Sequence, residues 1–180
     1  MPAAPAASLV AAPGRYAPPV KIAVIADTHT RGMSRTVPMG AWPYLESADH
    51  ILHAGDVVDP SLLDELRSLA PVTVVMGNCD AADVRDWGAA EIAEIELGGV
   101  VIAMIHDSGL KGGRRARMRK RFPDARVVVF GHSHLPLNED EDGLLLFNPG
   151  SPTWKRTAPF PSMGLLWIED GKVEGEIFPV

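Results

Sequence analysis

The sequence contains a single cysteine, Cys79, among its 180 residues. An intrachain disulfide is therefore excluded, so the fold must be stabilised by its apolar core and by any bound metal, which suits a reducing cytoplasm. No apolar run approaches the roughly 20 residues that a membrane-spanning helix needs. We therefore predict a cytoplasmic protein without a membrane segment.

Positive charge is also scarce, because 17 Lys and Arg stand against 23 Asp and Glu, for a formal net charge of −6. This balance argues against a protein whose main task is to coat nucleic acid. A phosphate-containing substrate stays compatible, since a bound metal can supply the attraction locally. Residues 1–19 are rich in Ala and Pro and lack the basic start of a signal peptide. We predict a disordered extension over 1–19 and one domain over 20–180.

From residue 20 onward, short runs rich in Val and Ile alternate with helix-like segments, a pattern typical of an α/β fold with a partly parallel sheet. Late hairpins, with turns at Gly98-Gly99 and Asp170-Gly171, predict antiparallel strands in a second sheet packed on the first. Helices are predicted over 40–48, 60–69 and 113–122. Strands are predicted over 21–26, 50–54, 72–76, 92–97, 100–105, 126–130, 144–147, 163–169 and 172–178. The acidic segment 139–142 is predicted to be an exposed loop.

Five of the apolar runs share one feature, which is that each ends in residues of types that bind metals. These residues are Asp27 with His29, Asp56, Asn78, His106, and His132 with His134. A lone His or an Asp after Gly is more often a structural or turn residue. If the five runs are neighbouring strands that point the same way, however, their ends meet in one cleft. Five such ends in one chain therefore favour a functional site.

The chemistry of these side chains is coherent. Imidazoles, two carboxylates and one amide suit Mn²⁺, Fe²⁺ or Zn²⁺ better than the all-oxygen sites of Ca²⁺ or Mg²⁺. Seven ligands are too many for one tetrahedral site and suit two sites that share a carboxylate. Two divalent ions, two carboxylates and one hydroxide leave a net charge of about +1 to attract a phosphate oxygen.

The motifs that carry these residues resemble the signature of the calcineurin-like metallophosphoesterase superfamily. They are Asp27-Thr28-His29, Gly55-Asp56-Val57-Val58-Asp59, Gly77-Asn78, His106 and Gly131-His132-Ser133-His134. The strings Gly77-Asn78-Cys79-Asp80 and Asn148-Pro149-Gly150-Ser151 resemble its small bacterial and archaeal phosphodiesterase branch. The resemblance covers residues 21 to about 178. It implies a four-layer α/β/β/α sandwich of two mixed sheets flanked by helices.

The resemblance also implies two divalent metal ions, Mn²⁺ by preference, with Fe²⁺, Zn²⁺, Ni²⁺ or Co²⁺ as options. One ion would be bound by Asp27, His29 and His134, the other by Asn78, His106 and His132, and both by Asp56. The implied reaction is in-line hydrolysis of a phosphodiester by a bridging hydroxide. Asp56, Asn78 and His106 are the candidate catalytic residues among these ligands.

Outside the ligand set, Arg156 and Arg31 are candidate substrate-binding residues. Asp59 and His53 are expected either to be structural or to support the metal ligands from behind. Cys79 stands where many family members have a His that assists the leaving group. A thiol with its ordinary pKa of about 8.5 is a poor acid for this task. We therefore expect the activity to favour good leaving groups.

Several functions stay open on sequence alone. The alternatives to a phosphodiesterase are a phosphomonoesterase, a nuclease, or a scaffold of the kind that the metallophosphoesterase-like retromer subunit represents. The complete ligand set favours an enzyme. We predict a small phosphoester as its partner and no membrane, while nucleic acid and a homodimer stay open. The basic run over 114–121 is interpreted as a solvated helix face, because no aromatic residues interleave it for base stacking.

Overall fold

The computed structural model describes residues 18–32 and 36–180. Residues 1–17 of the predicted extension lie outside the described residues, and the first strand begins at Val20. Within the described part, the strands form two five-stranded sheets. None of the described helices is long and apolar enough to cross a membrane.

The first sheet has the strand order β10-β9-β1-β2-β3. Its strands are β1 (Val20–Ile25), β2 (His50–His53), β3 (Val72–Val74), β9 (Ser162–Glu169) and β10 (Lys172–Pro179). The first three strands run parallel, and the β9–β10 hairpin pairs antiparallel to β1. The sheet is therefore mixed, with its parallel part on one side.

The second sheet has the order β4-β5-β6-β8-β7. Its strands are β4 (Ile92–Leu97), β5 (Val100–Ile105), β6 (Val127–Val129), β7 (Leu137–Glu141) and β8 (Leu144–Asn148). The three central strands run parallel, and each edge strand is antiparallel to its neighbour. The predicted glycine turn joins β4 to β5, and both of its residues have the positive φ that glycine adopts readily.

The helices are a short 3₁₀ turn (Met39–Ala41), α1 (Trp42–Glu46), α2 (Ser61–Arg67), α3 (Ala82–Trp87) and α4 (Arg114–Arg121). Side chains of a strand alternate between the two faces of its sheet. In β1, Ile22 and Val24 therefore pack against the second sheet, whereas Ala23 and Ile25 pack under α1 and α2. The outer face of the second sheet packs against α4 through Met118. This order of layers confirms the predicted four-layer α/β/β/α sandwich.

Two local predictions need correction. Helix α3 was not predicted, since its short segment contains Asp83, Asp86 and only one buried apolar residue, Val84. The loop predicted over 139–142 is wrong as well, because β7 extends through Glu141 and pairs with β8. An edge strand needs no apolar face of its own, and the β7 carboxylates are paired by arginines, as in the 2.6 Å contact between Arg126 and Asp140.

The sequence argument supposed that the five apolar runs are neighbouring strands of one sheet, but they belong to two sheets. Three of them are β1, β2 and β3 of the first sheet, and two are β5 and β6 of the second. The strand ends still meet, because hydrogen bonds join the loops across the sheets. The His132 N–H, after β6, donates to Asp27 Oδ1 after β1 over 3.1 Å. The candidate site therefore lies where the two sheets meet.

Candidate metal centre

The loops that follow strands β1, β2 and β6 have an unusual backbone. Six of their non-glycine residues lie in the left-handed region: Asp27 (φ 52°), His29 (φ 43°), Asp56 (φ 56°), Val58 (φ 74°), His132 (φ 67°) and His134 (φ 59°). Side chains other than glycine rarely adopt this conformation, and such residues cluster at functional sites. All but Val58 are among the ligands predicted from the sequence.

A first group of ligand atoms surrounds one point. Nε2 of His29 lies 3.3 Å from Nε2 of His134, and the latter lies 3.5 Å from Oδ1 of Asp27. The ligand atoms of these three residues all lie within 4.8 Å of one another, and the three residues are buried. Two imidazole nitrogens and a carboxylate oxygen so close together form a suitable site for a divalent cation.

A second group adjoins the first. Oδ1 of Asn78 lies 3.1 Å from Nε2 of His106 and 2.8 Å from Nδ1 of His132. Oδ2 of Asp56 lies 3.6 Å from Nε2 of His106 and 3.4 Å from Nε2 of His29. One carboxylate oxygen therefore faces both groups, which is the position a shared ligand requires.

The two carboxylates are buried without complete hydrogen bonding. Oδ2 of Asp27 and Oδ2 of Asp56 are both buried and accept no hydrogen bond within the described part of the chain. Burial, and after it the nearby charge of Asp56, raises the pKa of Asp27 to about 8. Buried polar groups normally have a partner, so these two oxygens mark a place for a cation. The residues present thus fit the divalent ions that the sequence pattern implies.

Hydrogen bonds behind the imidazoles orient them toward the centre. Nδ1 of His106 lies 2.8 Å from the Ala54 carbonyl oxygen, and Nδ1 of His134 lies 2.5 Å from the Trp154 carbonyl oxygen. A carbonyl oxygen can only accept, so each Nδ1 carries a proton and Nε2 is the ring nitrogen that can bind a metal. Burial also lowers the pKa of His134 to about 4, which favours its neutral form. Both rings therefore direct Nε2 toward the centre.

The absence of a side chain at position 77 allows the ligand loops to approach one another. A Cβ placed on Gly77 would overlap the carboxylate and the backbone nitrogen of Asp56. The Cys79 N–H meanwhile donates to Oδ1 of Asp56 over 2.7 Å, which leaves Oδ2 facing the centre. Glycine is thus required here because the loops after β2 and β3 are in contact.

Comparison with known proteins decides the family. Residues 20–171 match the model of the calcineurin-like phosphoesterase superfamily domain. A probable metallophosphoesterase of Methanocaldococcus jannaschii is 33% identical over 159 residues, which cover 88% of this chain and 81% of the relative. The chain belongs to the calcineurin-like phosphoesterase superfamily.

Solved structures show the same fold. Vacuolar protein sorting 29 from Cryptosporidium parvum superposes with a TM-score of 0.71 at 20% identity, covering 89% of this chain and 97% of that one. A novel archaeal phosphodiesterase superposes with a TM-score of 0.68 at 20% identity, covering 88% of this chain and all of the other. At this identity the likeness concerns the fold alone.

Asp80 has a role in this phosphoesterase that the sequence argument missed. Its Oδ2 accepts hydrogen bonds from the N–H groups of Asp56 (2.9 Å) and Gly77 (2.8 Å), and its Oδ1 accepts one from Val58 (2.8 Å). One carboxylate thus holds the loops after β2 and β3 together. Asp80 belongs to the string Gly77-Asn78-Cys79-Asp80, and this was the available sequence signal for its importance. The sequence does not reveal the role itself, because the three hydrogen-bond donors are backbone groups.

The segment after β8 supports the loop that contains Asp27. The Ser151 hydroxyl donates to the Asp27 carbonyl oxygen over 2.7 Å, and the Thr153 hydroxyl donates to the Thr28 carbonyl oxygen over 2.5 Å. These bonds connect chain positions more than 120 residues apart. The string at 148–151 therefore fixes the backbone of the first ligand loop.

His53 lies below the site as a structural residue, as predicted. The Gly55 N–H donates to its Nδ1 over 3.2 Å, so the proton is on Nε2, which lies 3.0 Å from the Thr28 hydroxyl. Complete burial lowers the pKa of His53 to about 3. Asp59 is structural as well, because its Oδ1 accepts the Ser61 N–H at the start of α2 over 3.0 Å.

The candidate substrate-binding arginines differ in position. Nη1 of Arg156 donates to the His132 carbonyl oxygen over 3.1 Å, and its guanidinium lies 4.8 Å from the centre of the Trp154 ring. The Trp154 ring itself contacts the rings of His29 and His134. Arg156 is therefore at the rim of the centre. Arg31 is exposed on the segment that leaves His29, and its role stays a prediction.

Cys79 faces the same space as the ligands. Its Sγ lies within 4.8 Å of ligand atoms of His29 and Asp56. Partial burial, and after it the charge of Asp56, raises the pKa of the Cys79 thiol. The thiol is thus an even weaker acid than an ordinary cysteine. Asp107, which follows the candidate ligand His106, is exposed and accepts the Gly109 N–H over 2.7 Å.

Proposed function

We propose that this protein is a metal-dependent phosphodiesterase with a centre of two divalent cations, Mn²⁺ by preference. The observation that carries the proposal is the pair of buried carboxylates, Asp27 and Asp56, each with one oxygen that accepts no hydrogen bond within the described residues and each with an oxygen within 3.6 Å of an imidazole nitrogen. Such an arrangement is unfavourable without a cation. The family and the complete set of seven candidate ligands support the same reading.

The two groups of ligand atoms suggest how the residues divide. Asp27, His29 and His134 would hold one ion, and Asn78, His106 and His132 the other. Asp56 would serve both, because one of its oxygens lies between Nε2 of His29 and Nε2 of His106. When bound, two such ions lower the pKa of a water and neutralise charge on a phosphoryl group.

The remaining residues at the centre bind and orient. Arg156, held at the rim by the His132 carbonyl oxygen, provides a positive charge for a phosphoryl oxygen. The amide of Asn78 adds a ligand without adding negative charge, so the centre stays attractive to an anion. The Cys79 thiol, whose pKa is raised, gives little assistance to a departing group. We expect esters with good leaving groups to react fastest.

The first test is hydrolysis of bis-p-nitrophenyl phosphate by metal-stripped protein, with and without Mn²⁺. We expect Mn²⁺-dependent turnover that falls more than about a thousandfold in Asp56→Ala, because several kcal/mol of transition-state stabilisation would be lost. Asp59→Ala is the matched control, since that carboxylate lies three residues away and accepts the Ser61 N–H. Calorimetric titration with Mn²⁺ should give two ions per chain in the wild type.

A scaffold without catalysis is the second candidate, favoured by the structural likeness to vacuolar protein sorting 29. The two candidates differ in what they require of the ligands, because a scaffold has no need of a complete set. Absence of turnover with Mn²⁺, Zn²⁺, Fe²⁺, Ni²⁺ and Co²⁺ would reject the enzyme and leave the scaffold. Equal loss of activity in Asp56→Ala and Asp59→Ala would instead show that the substitutions disturb the loop.

A further inference from the structure

A cavity of about 310 Å³ opens beside the second group of ligands. Asn78 and His106 form its inner wall, and Met76, Ile92 and Ile105 provide an apolar surface next to them. A phosphodiester has two ester groups, so a substrate whose phosphoryl group lies at the centre must place one of them nearby. This cavity has room for a group of the size of a nucleoside or a sugar.

Three charged residues also line the cavity, and they differ in their partners. Glu91 is paired with Arg85 at 2.7 Å. Asp107 accepts the Gly109 N–H and keeps its negative charge. Arg121, at the end of α4, is exposed, lines the cavity and has no ion pair among the described residues.

A second cavity, of about 510 Å³, continues from the first. The two share Asp107 and Arg121, and the second adds Arg117 and Lys120. Arg117 is engaged, because its guanidinium donates to the carbonyl oxygens of residues 108, 110 and 112. The two cavities together form a trough that runs from the metal centre to the C-terminal end of α4.

Lys120 and Arg121 differ from the arginines that precede them on α4. Those at 114, 115, 117 and 119 donate hydrogen bonds to backbone carbonyl oxygens. Within residues 18–32 and 36–180, no hydrogen bond or ion pair engages the side chain of Lys120 or Arg121, and Arg121 only approaches the Phe122 ring at 5.8 Å. Two cations are thus available at the far end of a trough that begins at the ligands.

We propose that this trough holds the second ester group of the substrate and that Arg121 and Lys120 bind a further phosphate on it. The substrate class is then a phosphodiester with an additional terminal phosphate, on either a nucleotide or a phosphorylated sugar head group. This inference rests on the proposed phosphodiesterase activity, and it adds which esters the enzyme prefers. An apolar surface followed by two cations matches an ester with an apolar body and an anionic end.

Matched substrates test the inference. The dinucleotide TpT and its 5′-phosphorylated form are one pair, which differs only in the terminal phosphate, and glycerophosphoinositol and its 4-phosphate are the second pair, which tests a sugar head group. We expect kcat/KM to rise about tenfold with the extra phosphate in one pair, as for one or two hydrogen bonds to a charged group. The double variant Arg121→Gln, Lys120→Gln should abolish this preference and leave hydrolysis of bis-p-nitrophenyl phosphate unchanged. Lys172→Gln, at an exposed position at the start of β10, is the control.

The outcomes separate the two proposals. Equal kcat/KM within both pairs, or a preference that persists in the double variant, would reject the trough while bis-p-nitrophenyl phosphate hydrolysis upholds the phosphodiesterase. If wild-type protein hydrolyses no diester with any of the five metals, the phosphodiesterase is rejected and the trough assignment with it. The pair that shows the preference identifies whether a nucleotide or a sugar head group carries the additional phosphate.

Discussion

The candidate metal centre and helix α4 are both dense in charged or metal-binding types of side chain, yet the fold uses them differently. At the candidate centre, one carboxylate oxygen each of Asp27 and Asp56 is buried and has no hydrogen-bond partner among the residues that the structure describes. On α4, by contrast, Arg115 and Arg117 direct their N–H groups at backbone carbonyl oxygens of adjacent segments. In sequence the basic run is the more conspicuous of the two, and in structure most of it supports the fold.

The two regions differ in how much of the hydrogen-bonding capacity of their side chains is used within the protein. An unpaired buried carboxylate is costly, so a fold retains one only where something else binds it. An arginine that donates to several carbonyl oxygens is held in place and has fewer donors left for a ligand. By this criterion the centre is the reactive region and α4 is mainly structural, except at Lys120 and Arg121. The following experiments test that contrast, from the largest expected effect to the smallest.

Asp80, whose carboxylate clamps the loops after β2 and β3 together, should have the largest effect on metal binding. In Asp80→Ala, three backbone N–H groups lose their acceptor and the loop that contains Asp56 loses its support. We expect Mn²⁺ affinity to fall about 10- to 100-fold, as for other groups that orient metal ligands. Calorimetric titration of the metal-stripped protein measures it. Asp83→Ala is the control, since that carboxylate binds only the adjacent Val84 N–H, and equal affinities in both variants would contradict the clamp.

Arg115 should affect stability without affecting chemistry. Its guanidinium donates to the carbonyl oxygens of Glu139, Glu141 and Leu144, so Arg115→Gln leaves acceptors on the β7–β8 hairpin unpaired. We expect the free energy of unfolding in urea to fall by about 2 kcal/mol. Hydrolysis of bis-p-nitrophenyl phosphate should not change. Lys120→Gln on the same helix should leave stability unchanged, and a comparable loss there would show that charge on α4, rather than bonding, matters.

Cys79 should limit the reaction with poor leaving groups. Cys79→His places an imidazole, with an ordinary pKa of about 6.5, where the thiol now lies. We expect hydrolysis of diphenyl phosphate to rise up to about tenfold relative to bis-p-nitrophenyl phosphate, because phenol leaves less readily and gains more from an acid. The ratio of the two kcat values measures this effect. Cys79→Ser should leave the ratio unchanged, and an equal increase for both substrates would argue against an acid at this position.

The metal-free protein should lose stability between pH 7 and 8. In this window the unfolded chain has Asp27 ionised, whereas the folded protein holds it partly protonated because its pKa is raised to about 8. The folded state then binds more protons, so the free energy of unfolding falls as pH rises, by about 1 kcal/mol over the unit. His53 and His134, whose pKa values are lowered, oppose this decrease only weakly, because few of their rings are protonated above pH 7 even in the unfolded chain.

Thermal unfolding in a chelator gives the measurement, with an expected decrease of about 3 °C. Asp27→Asn removes the titrating group and should flatten the profile. With Mn²⁺ bound, the carboxylate is already ionised, so the decrease over the same window should disappear. A decrease of the same size in Asp27→Asn would assign it to another group.

Much of the fold was predictable because it depends on local patterns. Apolar runs flanked by glycine predicted the strands, and Asp170-Gly171 predicted the last turn. Acidic β7 and short α3 were missed because pairing with β8 and packing of the single residue Val84 stabilise them. For such elements the stabilising contacts come from distant parts of the chain.

The sequence by itself determined the family and the candidate ligand residues, and it led to the proposal of two divalent ions, because the types and order of these residues already imply their chemistry. Only the tertiary structure decided that the five strand ends come from two sheets, that one oxygen of Asp56 faces both ligand groups, and that Asp80 clamps their loops. It also decided which arginines of α4 are engaged. The physical reason is the same in each case: burial and hydrogen bonding are properties of contacts between residues far apart in the chain.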